Sequence, residues 1–69
     1  MKYYDNAITA MQHAQRPACI GYMAGNGFVI YSPIDGAPKG AEPDLLLLND
    51  VLPIPLSWAG NEILFSIIK

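Results

Sequence analysis

The chain has one cysteine and one histidine among its 69 residues. With Cys19 alone, no disulfide can form within the chain, and with His13 alone, one copy cannot assemble a Cys/His zinc site. A domain of this size buries only about 60% of the surface that its unfolded chain exposes. Small domains usually need disulfides, a metal or oligomerisation to become stable, so these absences favour self-association.

Charged side chains are also scarce. They make up 14% of the chain, against 52% hydrophobic residues, whereas soluble domains typically carry roughly 25% charged residues. So few charges cannot cover the surface of a small monomer, and large exposed apolar patches usually mark an interface. We therefore expect a homo-oligomer.

The cationic side chains are few and scattered, and the net charge is −2. They are Lys2, Arg16, Lys39 and Lys69. Binding to a DNA or RNA polymer depends on many Lys/Arg contacts with phosphate, so the sequence predicts no DNA or RNA partner. A small ligand with one or two phosphates remains compatible, because backbone N–H groups in glycine-rich turns can hold phosphate without side-chain charge.

Long apolar runs are absent as well. The most apolar stretch, residues 45–56, is interrupted by Asn49-Asp50, Pro53 and Pro55, whereas a spanning helix needs about 20 apolar residues. Residues 1–5 lack the apolar core of a signal peptide, and the cysteine has no partner for a disulfide. We therefore expect no membrane partner and a cytoplasmic location.

One helical pattern is present, over residues 5–16. Apolar side chains recur at helical spacing, which predicts that one face of the helix is buried. Asp5 is the predicted N-cap, and Pro17 predicts that the helix ends near Gln15. The apolar positions are Tyr4, Ala7, Ile8, Ala10, Met11 and Ala14.

The pattern after Pro17 changes to short β-rich runs. Residues 18–22 and 28–32 flank the glycine-rich segment 23–27, which predicts a hairpin. Residues 33–43 contain three prolines and two glycines and predict a loop. Residues 45–48 then predict a buried strand, followed by a tight turn at Asn49-Asp50.

The C-terminal third predicts two further extended segments. Pro53 and Pro55 are two residues apart, so their missing N–H groups lie on one side of residues 51–56, which predicts an edge strand or an irregular extended segment. Residues 57–61 predict a turn or a short helical passage, and residues 62–68 a last strand with two apolar faces. The sequence thus predicts a single α+β domain over residues 1–69, with one N-terminal helix packed on a small antiparallel sheet of four to five strands, in an oligomer.

Catalytic constellations are missing from the pattern. His13 falls on the polar face of the predicted helix, and Cys19 falls in an apolar strand, where a buried hydrophobic role is expected. Most of the carboxylates flank turn residues without the spacing of a metal site. Gly25-Asn26-Gly27 does not open a helix, so it is neither a P-loop nor a dinucleotide fingerprint. We expect a protein that is not an enzyme and that has no cofactor, catalytic residue or metal.

The order of segments resembles a family of small phage proteins, the Thoeris anti-defence sponges of the second type. In that family a short helix precedes a strand reading Val-Ala-Arg-x-Gly-Trp, a glycine-rich turn and a strand reading Met-Phe-Ile-x-x-x-Pro. This chain has Ala18-Cys19-Ile20-Gly21-Tyr22, Gly25-Asn26-Gly27 and Phe28-Val29-Ile30-Tyr31-Ser32-Pro33 in the same order. Later the family has a Pro-x-Ile-x-Met strand, a turn and Pro-Trp-x-x-Ser, and this chain has Pro43-Asp44-Leu45-Leu46-Leu47 and Pro53-Ile54-Pro55-Leu56-Ser57.

The chain departs from the family pattern at two positions that bear on ligand binding. Cys19 stands where the family has arginine, and Tyr22 where it has tryptophan. The arginine is a phosphate-binding type of side chain, and its loss removes one candidate for that role. Tyrosine, like tryptophan, can stack on a base.

The resemblance implies a phage protein that sequesters a cyclic nucleotide immune signal in the host bacterial cytoplasm without cleaving it. The signal would be a cyclic ADP-ribose derivative or a cyclic dinucleotide. Pockets between subunits would need aromatic faces, glycine-loop amides and a few hydroxyl or amide groups. The candidate ligand-binding residues are Tyr22, Asn26, Gly27, Ser57, Trp58 and Arg16.

Each candidate also has a structural interpretation. The two aromatic residues can instead pack in the core or an interface. Asn26 and Gly27 can serve the hairpin alone, Ser57 can cap a turn, and Arg16 can be a solvated charge stabilised by the helix dipole. Two other functions stay open: a small phage module that inhibits a host or immune protein by direct contact, and a structural protein of a virion.

Overall fold

The computed structural model describes residues 2–56, so the predictions for residues 57–61 and 62–68 lie outside the described residues. The helix α1 (Ala7–His13) is followed by the strands β1 (Ala18–Met23), β2 (Gly27–Tyr31), β3 (Ala41–Leu47) and β4 (Ile54–Pro55). The strands pair antiparallel in the order β2-β1-β3-β4. The predicted α+β class, one helix with a small antiparallel sheet, is confirmed over this range.

The helix is shorter than predicted at both ends. Its N-cap is Asn6, whose side-chain oxygen accepts a hydrogen bond of 2.8 Å from the Thr9 N–H. The prediction of Asp5 as the cap is therefore wrong by one residue. The helix ends at His13 because Ala14 already has extended geometry, with ψ 138°.

The packed face of α1 is narrower than the sequence pattern indicates. Ala10 is fully buried against Ile20 and Leu47, and Met11 packs at the margin of this cluster. Ile8 was predicted to share the packed face, but it is 65% exposed, so that prediction is wrong. A helix of 7 residues makes only two turns, so few of its side chains can face the sheet. The small side chain of Ala10 lets the helix lie close to the sheet at this point.

The predicted β1–β2 hairpin is confirmed. Met23 pairs with Gly27, and the Asn26 N–H donates to the Met23 carbonyl at 2.9 Å, which closes the turn. Gly25 occupies the third position of this turn with φ +82°, as a type II turn requires.

β3 begins earlier than predicted, and its first three residues were assigned to the preceding loop. Ile20 and Gly21, consecutive in β1, pair with Leu45 and Pro43, which leaves Asp44 as an extra residue in β3. Such a β-bulge is one of the few places where a strand accepts proline. The strand therefore continues through a residue type that normally marks a loop.

The prediction for residues 51–56, an edge strand or an irregular extended segment, corresponds to the two-residue strand β4 at the margin of the described sheet. β4 pairs with β3 alone among the described strands. The Leu56 N–H donates to the Asp44 carbonyl of β3 at 2.9 Å. Because backbone N–H groups alternate sides along an extended chain, the nitrogens of Pro53 and Pro55, which have no hydrogen to donate, face away from β3.

The sheet has a buried cluster on each face. The cluster under α1 is centred on Ala10, Ile20 and Leu47. The cluster on the opposite face consists of Cys19, Val29, Tyr31, Leu46 and Leu56. No helix within residues 2–56 combines the length and the hydropathy needed to cross a membrane.

Candidate functional site

Three aromatic side chains lie side by side near the hairpin end of the sheet. Tyr22 of β1 is directly opposite Phe28 of β2, and Phe28 is bridged in turn to Tyr4 of the N-terminal segment. Opposite residues of neighbouring strands project from the same face, and Tyr4 and Phe28 both pack against the cluster under α1. We call Tyr4, Phe28 and Tyr22 the aromatic row.

Backbone hydrogen bonds fix the spacing of this row. Tyr4 and Phe28 exchange two bonds, each of 2.8 Å between nitrogen and oxygen. Because the Phe28 backbone groups point toward Tyr4, its pair with Tyr22 is the non-hydrogen-bonded kind, in which side chains approach more closely. The Tyr22 and Phe28 ring centroids are 5.0 Å apart with the planes tilted by 59°, within the range of stabilising aromatic pairs.

Gly27 makes this arrangement possible. It has φ +123°, and a β-carbon at this position would lie 2.6 Å from the Tyr4 carbonyl oxygen. Any other residue would push the N-terminal segment off the edge of β2. Gly27 therefore positions the aromatic row through the backbone, and this role stands beside the predicted contact with a ligand.

The row has opposite charges at its two ends. At the Tyr4 end, the Lys2 ammonium nitrogen lies 5.5 Å from the Tyr4 ring centroid, and the His13 ring stacks on Tyr4 at 5.2 Å with an interplanar angle of 27°. At the Tyr22 end, Glu42 of β3 is the residue directly opposite Tyr22 and is exposed. The row therefore runs from a cationic end to an anionic end.

Solvent reaches part of the row. Tyr22 is 41% exposed, whereas Phe28 and Tyr4 are half-buried and thereby anchored to the fold. Asn26 is exposed at the tip of the adjoining hairpin. An aromatic side chain that packs on one side and remains accessible on the other can accept the flat face of a ligand.

The structure brings three of the predicted site residues together at the hairpin, namely Tyr22, Asn26 and Gly27. Arg16 precedes β1 and so lies at the other end of that strand. β1 has 6 residues, so its ends are roughly 17 Å apart at about 3.3 Å per residue. Ser57 and Trp58 lie outside the described residues.

Arg16 is engaged in holding the β3–β4 connection. Its Nη1 donates to the Leu48 carbonyl at 2.8 Å and to the Val51 carbonyl at 3.4 Å. Within one chain, Arg16 is thus a brace on this turn and is remote from the aromatic row.

In addition to Tyr22, the site contains four residues that were not predicted from the sequence as parts of it. Tyr4 was assigned to the buried helix stripe and His13 to a solvated face, and neither Phe28 nor Lys2 was singled out. The pattern of alternation places Phe28 on the face of Ile30, which packs under α1. The bridge to Tyr4 has no signal in the sequence, because an isolated pair of hydrogen bonds leaves no periodicity.

Cys19 and Tyr31 face each other on the opposite side of the sheet. Burial raises the pKa of the Cys19 thiol from its ordinary 9.0 to about 11, and the neighbouring Tyr31 hydroxyl offsets this only in part. Burial, with a smaller contribution from Cys19, also raises the pKa of Tyr31 well above its usual value. The thiol is near enough to affect the ionisation of Tyr31, but the buried Tyr31 hydroxyl makes no hydrogen bond of acceptable geometry within the described part of the chain. A thiol held protonated and out of contact with solvent is a poor nucleophile.

Metal-binding side chains do not converge in residues 2–56: no three His, Cys, Asp or Glu residues there are close enough together to hold an ion. Comparison with protein-family models, curated proteins and solved structures gives no match.

Proposed function

We propose that this chain is a phage anti-defence protein that binds a cyclic nucleotide immune signal and holds it without cleaving it. The observation that supports this best is the aromatic row, in which Tyr22 stays accessible while Phe28 and Tyr4 fix its surroundings. A nucleobase stacked on an aromatic side chain gains roughly 1–3 kcal/mol. The Asn26 amide is exposed at the tip of the adjoining hairpin and in this proposal contacts polar groups of the same ligand.

We further propose that the protein acts in the host bacterial cytoplasm as a homo-oligomer. The aromatic row covers one side of a flat ligand, whereas small-molecule sites usually bury 70–90% or more of the ligand surface. A second copy can supply the opposing wall. The exposed apolar side chains Ile8 (65%), Ile34 (82%) and Leu52 (85%) support association, because apolar surface of this kind is typical of interfaces.

The test is a thermal-shift series with cyclic ADP-ribose isomers and cyclic dinucleotides, together with native mass measurement of the oligomer. A ligand at 100 times its dissociation constant stabilises the folded state by about 2.7 kcal/mol, which means a shift of several degrees in a domain of this size. The bound ligand should be recovered unchanged after heat denaturation. A well-folded protein that shifts with none of these ligands would overturn the proposal.

The role of the aromatic row is tested with two exposed tyrosines. Tyr22→Ala should abolish ligand binding while leaving the oligomer intact, and Tyr22→Phe should retain binding because the ring remains. Tyr3→Ala is the matched control, since Tyr3 is similarly exposed but lies outside the row. If binding survives Tyr22→Ala, the ligand does not stack on this row.

A second function has a specific observation in its favour. Leu52 and Val51 are exposed at 85% and 48% on the β3–β4 connection, which Arg16 braces through two hydrogen bonds. A fixed apolar turn suits direct inhibition of a host or immune protein. Leu52→Asp should then abolish retention of a stoichiometric bacterial protein while leaving any nucleotide binding intact.

A further inference from the structure

Two donor side chains beside the aromatic row come from separate segments of the chain, and each lies against the ring of Tyr4. Lys2 belongs to the N-terminal segment and His13 to the last turn of α1. Both contact the ring of Tyr4, at 5.5 Å from the ammonium nitrogen and at 5.2 Å between ring centroids. Two backbone hydrogen bonds of 2.8 Å hold Tyr4 on Phe28, so the ring that both groups contact is anchored to the sheet.

Arg16 and Lys39 do not lie beside Tyr4. Arg16 lies beyond the far end of β1 and already donates to two backbone carbonyls. Lys39 is exposed in the connection between β2 and β3, two residues before Ala41, which pairs with Met23, so it belongs to the Tyr22 end of the row and not to the Tyr4 end. Within residues 2–56, Lys2 and His13 are therefore the donors that lie against the Tyr4 ring.

The opposite end of the row is unfavourable for an anion. Glu42 is paired with Tyr22 across the β1–β3 ladder, and a carboxylate at this position repels a phosphate group while it can accept from ribose hydroxyls or an exocyclic amine. Asp5 follows Tyr4 in the chain and is exposed, so it reduces the positive field at the Tyr4 end without removing the two donors.

From this polarity, we propose that Lys2 and His13 form the phosphate-binding position of the site. The ligand then lies along the row with its phosphates at the Tyr4 end and its base at the Tyr22 end. This assignment rests on the proposed function and deepens it by naming the phosphate donors. The family that the sequence resembles has an arginine at the position of Cys19, and here two donors from elsewhere in the chain would take the phosphate-binding role. An ammonium group and a ring N–H are both suitable donors to phosphate oxygens.

The experiment compares a phosphate-bearing ligand with a phosphate-free one. Binding of cyclic ADP-ribose and of adenosine is measured by NMR titration, which also detects weak binding, for the wild type, Lys2→Gln, His13→Gln and the control Lys39→Gln. Lys2→Gln and His13→Gln should each weaken cyclic ADP-ribose binding roughly tenfold and leave adenosine binding unchanged. Lys39→Gln removes the same charge as Lys2→Gln and should change neither. Asp5→Asn should strengthen cyclic ADP-ribose binding alone.

The outcomes separate the two proposals. If the wild type binds cyclic ADP-ribose and neither variant alters its affinity, the phosphate assignment is overturned and the proposed function stands. If the variants weaken both ligands equally, Lys2 and His13 only support the aromatic row and the assignment again fails. A folded wild-type protein that binds neither ligand, nor any other cyclic nucleotide, overturns the proposed function and the assignment together.

Discussion

Gly27 and Tyr4 approach so closely that a β-carbon on Gly27 would stand 2.6 Å from the Tyr4 carbonyl oxygen. This contact allows the N-terminal segment to bond to Phe28 at the edge of β2. The aromatic row, and with it the positions of Lys2 and His13, therefore depends on the absence of a side chain at one position.

Substitution of Gly27 tests this dependence directly. Gly27→Ala combines an unfavourable φ of +123° with the clash against Tyr4. We therefore expect the free energy of unfolding to fall by about 2–3 kcal/mol. Gly25→Ala is the matched control, because Gly25 has φ +82° but nothing within 4 Å of its added β-carbon, and about 1 kcal/mol is expected. Urea denaturation of both variants measures the difference. Equal losses would show that backbone conformation alone matters at Gly27.

The helix cap offers a test with a neighbouring control. Asn6→Ala removes the acceptor of the Thr9 N–H bond and should lower the free energy of unfolding by about 1 kcal/mol. Asp5→Ala removes the residue that the sequence pattern favoured as the cap, and it should change stability by less than about 0.5 kcal/mol. A larger loss for Asp5→Ala than for Asn6→Ala would contradict the capping geometry.

Local chemistry in the sequence was sufficient for the hairpin and for the common orientation of the two prolines near β4. The glycines at 25 and 27 supply positive φ where the turn needs it, and the two prolines can lie on only one side of an extended chain. Pro43 misled the prediction because a bulge in β3 accommodates it, and a bulge depends on pairing with β1, which local sequence does not encode. The aromatic row was missed for the same reason, since its members are neighbours only through strand register.

Tyr31 supplies a prediction about a buried hydroxyl. Its side chain is 8% exposed, and the hydroxyl oxygen has no hydrogen-bond partner among residues 2–56. Removing a buried polar group that makes no bond relieves its desolvation cost, so Tyr31→Phe should be neutral or stabilising by up to about 1 kcal/mol. Chemical denaturation at pH 7 measures the change. A loss greater than about 0.5 kcal/mol would mean that a bound water or another group satisfies the hydroxyl.

Cys19 supplies a prediction about alkaline pH. Its pKa is raised in the folded state from 9.0 to about 11, so the folded protein retains the proton that the unfolded chain releases. The stabilisation is complete below pH 9 and is lost as the pH rises from 9 to about 11, with a slope of up to roughly 1.4 kcal/mol per pH unit. Cys19→Ala should remove this fall between pH 9 and 10, whatever its effect on stability at neutral pH, whereas Tyr31, whose pKa is also raised by burial, still lowers stability above pH 10.

Thiol labelling provides an independent measurement on the same residue. Cys19 is fully buried, so a thiol reagent should modify it only when the protein unfolds, and the labelling rate should rise with urea as the unfolded fraction does. Rapid modification of the native protein at pH 7 would contradict both the burial and the raised pKa.

Substitution of Arg16 distinguishes a structural role of this side chain from a role in ligand binding. Arg16→Gln removes two hydrogen bonds to the carbonyls of Leu48 and Val51. We expect the free energy of unfolding to fall by only about 1 kcal/mol, because hydrogen bonds of an exposed side chain contribute little to stability. Lys39→Gln is the control for the lost charge and should leave stability within about 0.5 kcal/mol of the wild type. Nucleotide affinity should be unchanged in both, since within one chain Arg16 lies beyond the far end of β1 from Tyr22. Loss of nucleotide binding in Arg16→Gln, with the fold and the oligomer intact, would mean that Arg16 of another copy completes the site.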